Sequence, residues 1–79
     1  MDSPDITVAI VPKNAREQFR IQIRSFHGRR FVDFRLYVVD AAGSWVPTNK
    51  GAGIRPDLLP NVGNAFRQAE EAARAEGLL

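Results

Sequence analysis

Along residues 19–40 apolar and polar positions alternate in two runs separated by a short break. Phe19, Ile21 and Ile23 alternate with Arg20, Gln22 and Arg24, the period-two pattern of a strand whose faces meet different surroundings. Phe26 falls on the arginine parity, so a large ring stands on the polar face. His27-Gly28 supplies the turn, because glycine takes positive φ without strain and histidine tolerates it better than most residues. A second strand begins at Arg29 or Arg30. A two-residue loop sets Phe26 opposite Arg29, Arg24 opposite Phe31, Gln22 opposite Asp33 and Arg20 opposite Arg35 on one face. The other face joins Ile23 to Val32, Ile21 to Phe34 and Phe19 to Leu36, an apolar surface that must be covered. A four-residue loop changes the pairs and keeps both faces, whereas a three-residue loop with a bulge disturbs the parity. In the two-residue register Arg20 and Arg35 meet directly, which is destabilising unless Asp33 or an outside anion compensates.

The remaining pattern surrounds this hairpin. Ile6, Val8 and Ile10 alternate ahead of Pro12-Lys13-Asn14, which reads as a short strand or as a flexible arm, and residues 1–15 are set apart from a domain over residues 16–79. After the hairpin, residues 40–44 form a turn cluster and Trp45-Val46 begin a third strand, which Pro47 limits. Residues 49–53 read as a flexible connection and Ile54-Arg55 as a short fourth strand. Gly51-Ala52-Gly53 lacks the glycine spacing and the Lys-Ser/Thr pair of a phosphate loop. Leu58, Leu59, Val62, Phe66, Ala69 and Ala73 recur at helical spacing, predicting a helix that covers the sheet. Pro56 and Pro60 place its start between Asp57 and Asn61, and Gly77 is its stop signal.

Composition narrows the possibilities. At 79 residues the chain is one small domain that buries roughly 60% of the surface its unfolded form exposes. There is no cysteine, so neither disulfides nor thiolate chemistry supports it, and oligomerisation is the remaining staple. No basic leader precedes an apolar run and no stretch reaches membrane-spanning length. The expectation is an intracellular protein without a membrane partner, in the cytoplasm or nucleoid of a bacterium or the nucleus of a eukaryote. Net charge is only +2, but it is unevenly placed. Residues 13–35 carry Lys13, Arg16, Arg20, Arg24, Arg29, Arg30 and Arg35 against Glu17 and Asp33, whereas residues 1–12 hold only Asp2 and Asp5. The hairpin is the basic part of the chain.

Catalysis has little to draw on. The single histidine lies in a turn, with no nucleophile arrangement near it and no partner at metal-ligand spacing, so His27 is a turn residue and an occasional phosphate contact. The arginines compete with a plain reading as a solvated face. Against that, Phe26 shares their face, with Phe31 and Tyr37 on the same parity of the next strand. Rings beside cations are what single-stranded nucleic acid uses for stacking and phosphate neutralisation. Phe31 is expected to pack on arginine stems. Trp45 is either a second stacking platform or a core plug, the nearby Lys50 favouring the first.

Three segments carry a resemblance: Ser25-Phe26-His27-Gly28-Arg29, Val32-Asp33-Phe34-Arg35 and Pro47-Thr48-Asn49-Lys50-Gly51. In this order they resemble the single-stranded-DNA-binding domain of the positive cofactor four family of transcriptional coactivators, especially its small bacterial homologues, from about Phe19 to the helix near Phe66. The resemblance implies an α+β fold: a curved four-stranded antiparallel β-sheet followed by a C-terminal α-helix, in a homodimer whose paired sheets form DNA channels. It implies that Phe26 stacks on a base, that Arg29 and Arg35 are basic contact positions, and that Lys50 is the loop lysine. His27 stands where a lysine is common, Val38 where an aromatic is often found, and Asn49 where a basic residue often precedes the lysine. These departures shift weight onto Tyr37 and Trp45. The serine-rich regulatory tail of eukaryotic members has no match, so coactivator activity does not follow automatically.

The expected function is therefore sequence-tolerant binding of single-stranded DNA, in transcription regulation or DNA maintenance, by a homodimer with neither enzymatic activity nor cofactor. RNA and melted duplex are alternative ligands, and the transcription machinery is a further partner. The candidate DNA-binding residues are Arg20, Arg24, Phe26, His27, Arg29, Arg35, Tyr37, Trp45 and Lys50. The competing reading is a protein-interaction or scaffolding subunit of the same fold whose basic face meets an acidic partner.

Overall fold

A computed structural model describes residues 4–79; residues 1–3 of the expected N-terminal arm lie outside the described residues. Four antiparallel strands form one open curved sheet in chain order: β1 (Ile6–Asn14), β2 (Glu17–Phe26), β3 (Arg29–Val39) and β4 (Trp45–Ile54). A 3₁₀ turn at Pro56–Leu58 leads into helix α1 (Leu59–Ala75).

The β2–β3 register is the two-residue one throughout, from Phe26 opposite Arg29 to Phe19 opposite Leu36. Its cause is the turn. His27 and Gly28 both have positive φ, 50° and 75°, the combination whose twist matches that of the flanking strands.

Both edge strands differ from the sequence pattern. The segment around Ile6, Val8 and Ile10 is a strand rather than a free arm, but its alternation does not build one apolar face. A bulge at Val8 separates the pairs Thr7–Gln22 and Ala9–Ile21, so Ile6, Ala9 and Val11 share the apolar face while Ile10 lies opposite Arg20 on the polar one. On the other edge, the expected third and fourth strands are a single strand. Pro47 does not end it, because β4 has only one neighbour and a missing N–H can face solvent at no cost. The segment expected as a flexible connection is paired to β3 at Gly51, Ala52 and Gly53. Gly51 is required there, since a Cβ would collide with the Phe34 carbonyl oxygen and Arg35 Cα.

Proline at the first helical turn removes only N–H groups that no intrahelical carbonyl would reach. At the other end Gly77 takes φ 76°. There Gly77 N–H donates to Arg74 and Leu78 N–H to Ala73, a Schellman closure. The expectation that α1 covers the sheet is met only in part. Leu59, Val62 and Phe66 approach Ile21, Val32, Phe34 and Ile54 around a crevice of about 190 Å³, and no residue of the helix is buried. Phe66 remains 60% exposed although its ring lies 6.2 Å from that of Phe34.

The chain is consequently flat, 46 × 36 × 18 Å. Its radius of gyration is 14.7 Å, against about 12 Å for a compact domain of this length. Among the described residues the buried apolar side chains are Val32, Leu36 and Tyr37, a small core for a chain of this length.

Candidate nucleic-acid interface

The face of the sheet away from α1 is polar, yet it holds the most buried side chain, Asp33, only 1% exposed. Asp33 has this environment because it lies on an inner strand, between Gln22 of β2 and Gly53 of β4. Arg35, two residues along the same strand and so on the same face, donates from Nε to Asp33 Oδ2 and from Nη2 to Oδ1, both at 3.0 Å. A third Arg35 donor, Nη1, reaches the Thr48 carbonyl at 2.9 Å. The hydrogen bonds to Asp33 and the charge of its carboxylate hold the Arg35 guanidinium above its already high ordinary pKa. Arg24 Nη1 stands 3.7 Å from the same carboxylate.

The direct opposition of Arg20 and Arg35 is resolved by turning the two guanidinium groups to different partners. Arg35 turns to Asp33, while Arg20 lies over the Tyr37 ring, 4.2 Å from its centroid, a cation–π placement. In the orientation its surroundings favour, the Gln18 amide oxygen accepts from Arg20 Nε and Nη2 at 2.8 Å. Tyr37 is thus not an open ring. It is 7% exposed, and it supports Arg20.

Phe26 is different. At the tip of the hairpin it is 67% exposed, with an edge contact to the His27 ring at 4.1 Å. Arg29, directly opposite, is exposed and has no ion pair among the described residues. Phe31, opposite Arg24, packs over Gly53, whose missing side chain leaves room for the ring. Trp45 pairs with Val39 at the far end of β3, which puts it on the Tyr37 face, and it is 36% exposed. With a rise of about 3.3 Å per residue, roughly 30 Å of sheet separates the Phe26 and Trp45 ends.

Lys50 stands apart from both ends. It belongs to a bulge in β4 opposite Leu36, held by the Thr48 hydroxyl, which donates to the Leu36 carbonyl at 2.8 Å and accepts from Lys50 N–H at 3.1 Å. Its charge is felt by Glu17, whose carboxyl is held below its ordinary value, mainly by a hydrogen bond from Asn14. The structure therefore groups Phe26, His27 and Arg29 at the tip and Arg20, Arg24, Arg35 and Tyr37 around Asp33, with Trp45 and Lys50 separate. The supporting roles of Gln18 and Thr48 were missed in the sequence. Gln18 is two residues from Arg20 on one strand, a same-face spacing that could have signalled it.

This architecture has known counterparts. The family model for Transcriptional Coactivator p15 (PC4) matches residues 13–63. The chain belongs to the PC4 family. The match spans β2, β3, β4 and the start of α1, and leaves most of β1 outside. Among solved structures, the chain is similar to BPSL1147, a PC4 homolog from Burkholderia pseudomallei K96243. In the orthorhombic crystal form the identity is 43% over 89% of this chain and 95% of that one, with a TM-score of 0.78. In the tetragonal form the values are 45%, 85%, 98% and 0.79. It is also similar to a bacteriophage T5 homolog of the eukaryotic transcription coactivator PC4 implicated in recombination-dependent DNA replication, at 25% identity over 99% of this chain and 97% of that one, with a TM-score of 0.65. No curated protein matches significantly. Among the described residues no helix is long and apolar enough to cross a membrane.

Proposed function

We propose that this PC4-family chain binds single-stranded DNA without strong sequence preference, as a homodimer acting in transcription or DNA maintenance and without catalytic chemistry of its own. The observation that carries the reading is Phe26, a large apolar ring left 67% exposed at the tip of the basic hairpin, opposite Arg29, which is exposed and has no ion pair among the described residues. A base offers a π-face to the ring whatever its identity, and the neighbouring phosphate meets the arginine. The ring-bearing Trp45 end gives the strand a second place to stack. A PC4-like relative implicated in DNA replication supports the same class of ligand.

Dimerisation is supported by the uncovered helix. Leu58, Leu59 and Phe66 are 40%, 40% and 60% exposed, and Val62, Ala65, Phe66 and Ala69 line a shallow apolar hollow along α1. Small residues there let a second helix approach closely.

Replacing Phe26 by Ala tests the DNA reading. The expected loss is about 1–3 kcal/mol of single-strand affinity, roughly 5- to 150-fold, with an unchanged melting temperature because the ring contributes little to the core. A variant that binds as tightly as the wild type but melts earlier would make Phe26 a packing residue and remove the main support for the reading.

A further inference from the structure

Asp5 lies just ahead of β1. Continuing the pairing of Ile6 with Ile23 brings it opposite Arg24 on the polar face. Its Oδ2 is 3.4 Å from Arg24 Nε, so this arginine is held between Asp5 and the buried Asp33. The preceding residue follows the same course: the Pro4 carbonyl accepts from Arg30 Nη1 at 3.1 Å. The segment before β1 thus lays an acidic residue along the basic hairpin.

The two carboxylates are not equivalent. Asp33 is 1% exposed and doubly hydrogen-bonded to Arg35, so it stays in place whatever binds above it. Asp5 is 54% exposed and touches a guanidinium that is itself 37% exposed. A single exposed contact of this kind is weak and screened by salt. A carboxylate oxygen facing an arginine N–H also occupies the position a phosphate oxygen would take.

We propose that Asp5 acts as a built-in phosphate mimic: it fills a phosphate subsite at Arg24, and a nucleic-acid strand gains that subsite only by displacing it. The inference rests on the single-strand reading above and adds to it a residue that sets affinity from outside the part of the chain matching the family model. Among the described residues Arg29 has no carboxylate to displace, whereas Arg24 becomes available by exchange. The competition is strongest at low salt, where the Asp5–Arg24 attraction is least screened.

The experiment is a double-mutant cycle read by fluorescence anisotropy of a labelled short oligodeoxythymidylate, using the full chain. Asp5→Asn keeps the shape and removes the charge. At low salt it is expected to raise affinity about two- to five-fold, the range of a weak exposed ion pair, with the gain shrinking as salt is added. In an Arg24→Ala background the same substitution is expected to change affinity hardly at all, because the subsite is gone. No gain from Asp5→Asn alone, or an equal gain with Arg24 absent, would overturn the proposal, the latter reducing Asp5 to a general charge effect. Wild-type binding in the same titration separates the two levels: if the wild type binds and Asp5→Asn adds nothing, the mimic fails and the single-strand reading stands. If neither binds, both fail.

Discussion

Replacing Asp33 by Ala is expected to destabilise the protein by about 2–4 kcal/mol, the scale on which breaking a buried ion pair from one side operates. The side chain is 1% exposed while Arg35 keeps 21% exposure, so solvent reaches only one partner and the loss falls toward the lower part of the range for fully buried pairs. The mechanism is specific. Without the carboxylate, Arg35 loses two hydrogen bonds at 3.0 Å, Arg24 loses a neighbour at 3.7 Å, and the opposition of Arg20 to Arg35 goes uncompensated. Denaturant unfolding should therefore show a lower midpoint in the variant, partly restored by added phosphate or salt, which supply or screen the missing charge. A loss below about 0.5 kcal/mol, ordinary for a surface substitution, would mean that Asp33 does not organise the face.

A larger effect is expected from Ala69→Glu, which tests the dimer. Ala69 lines the apolar hollow on α1 with Val62 and Phe66, and the described chain buries only Val32, Leu36 and Tyr37 among its apolar side chains. A second copy seated on this face would put the new carboxylate in an apolar interface without a partner, at a cost of about 3 kcal/mol or more. The dimer dissociation constant should rise more than 100-fold. Because assembly and folding are then one equilibrium, thermal stability and single-strand affinity should fall with it. Sedimentation of both proteins at micromolar concentration reads this directly. A wild type that already sediments as a stable monomer, with a variant that melts at the same temperature, would remove the dimer from the account.

The hairpin was legible because its register depends on local chemistry. His27-Gly28 suits a two-residue turn, and strict alternation on both sides separates the two faces; among the loop lengths the sequence allowed, the structure takes the one in which Ile21 meets Phe34 and Ile23 meets Val32. The edges were less legible for the same physical reason in reverse. A bulge such as that at Val8 inserts a residue without changing composition, so Ile6 and Ile10, apparently on one face, end on opposite ones. Pro47 reads as a strand terminator only if both sides of its strand are paired, and edge position is a property of topology. The polar face was identified by parity, but its internal arrangement was not. Parity places Tyr37 beside the arginines without saying that Arg20 will cover its ring, or that Arg35 will direct three donors inward to Asp33 and Thr48. Helical periodicity similarly marked the apolar side of α1 and did not distinguish a sheet from a second copy as what that side meets.

The proposed ligand of the polar face of this PC4-family chain is a single strand of DNA. The most direct test is an equilibrium titration of the wild-type protein against matched single-stranded DNA, duplex DNA and single-stranded RNA over a range of salt. Binding is expected to be tightest to single-stranded DNA, with little dependence on base sequence and a log–log salt slope of about −0.7 for each phosphate contacted. Preference for duplex, or no binding to any single strand at low salt, would contradict this reading and leave the basic face to an acidic protein partner.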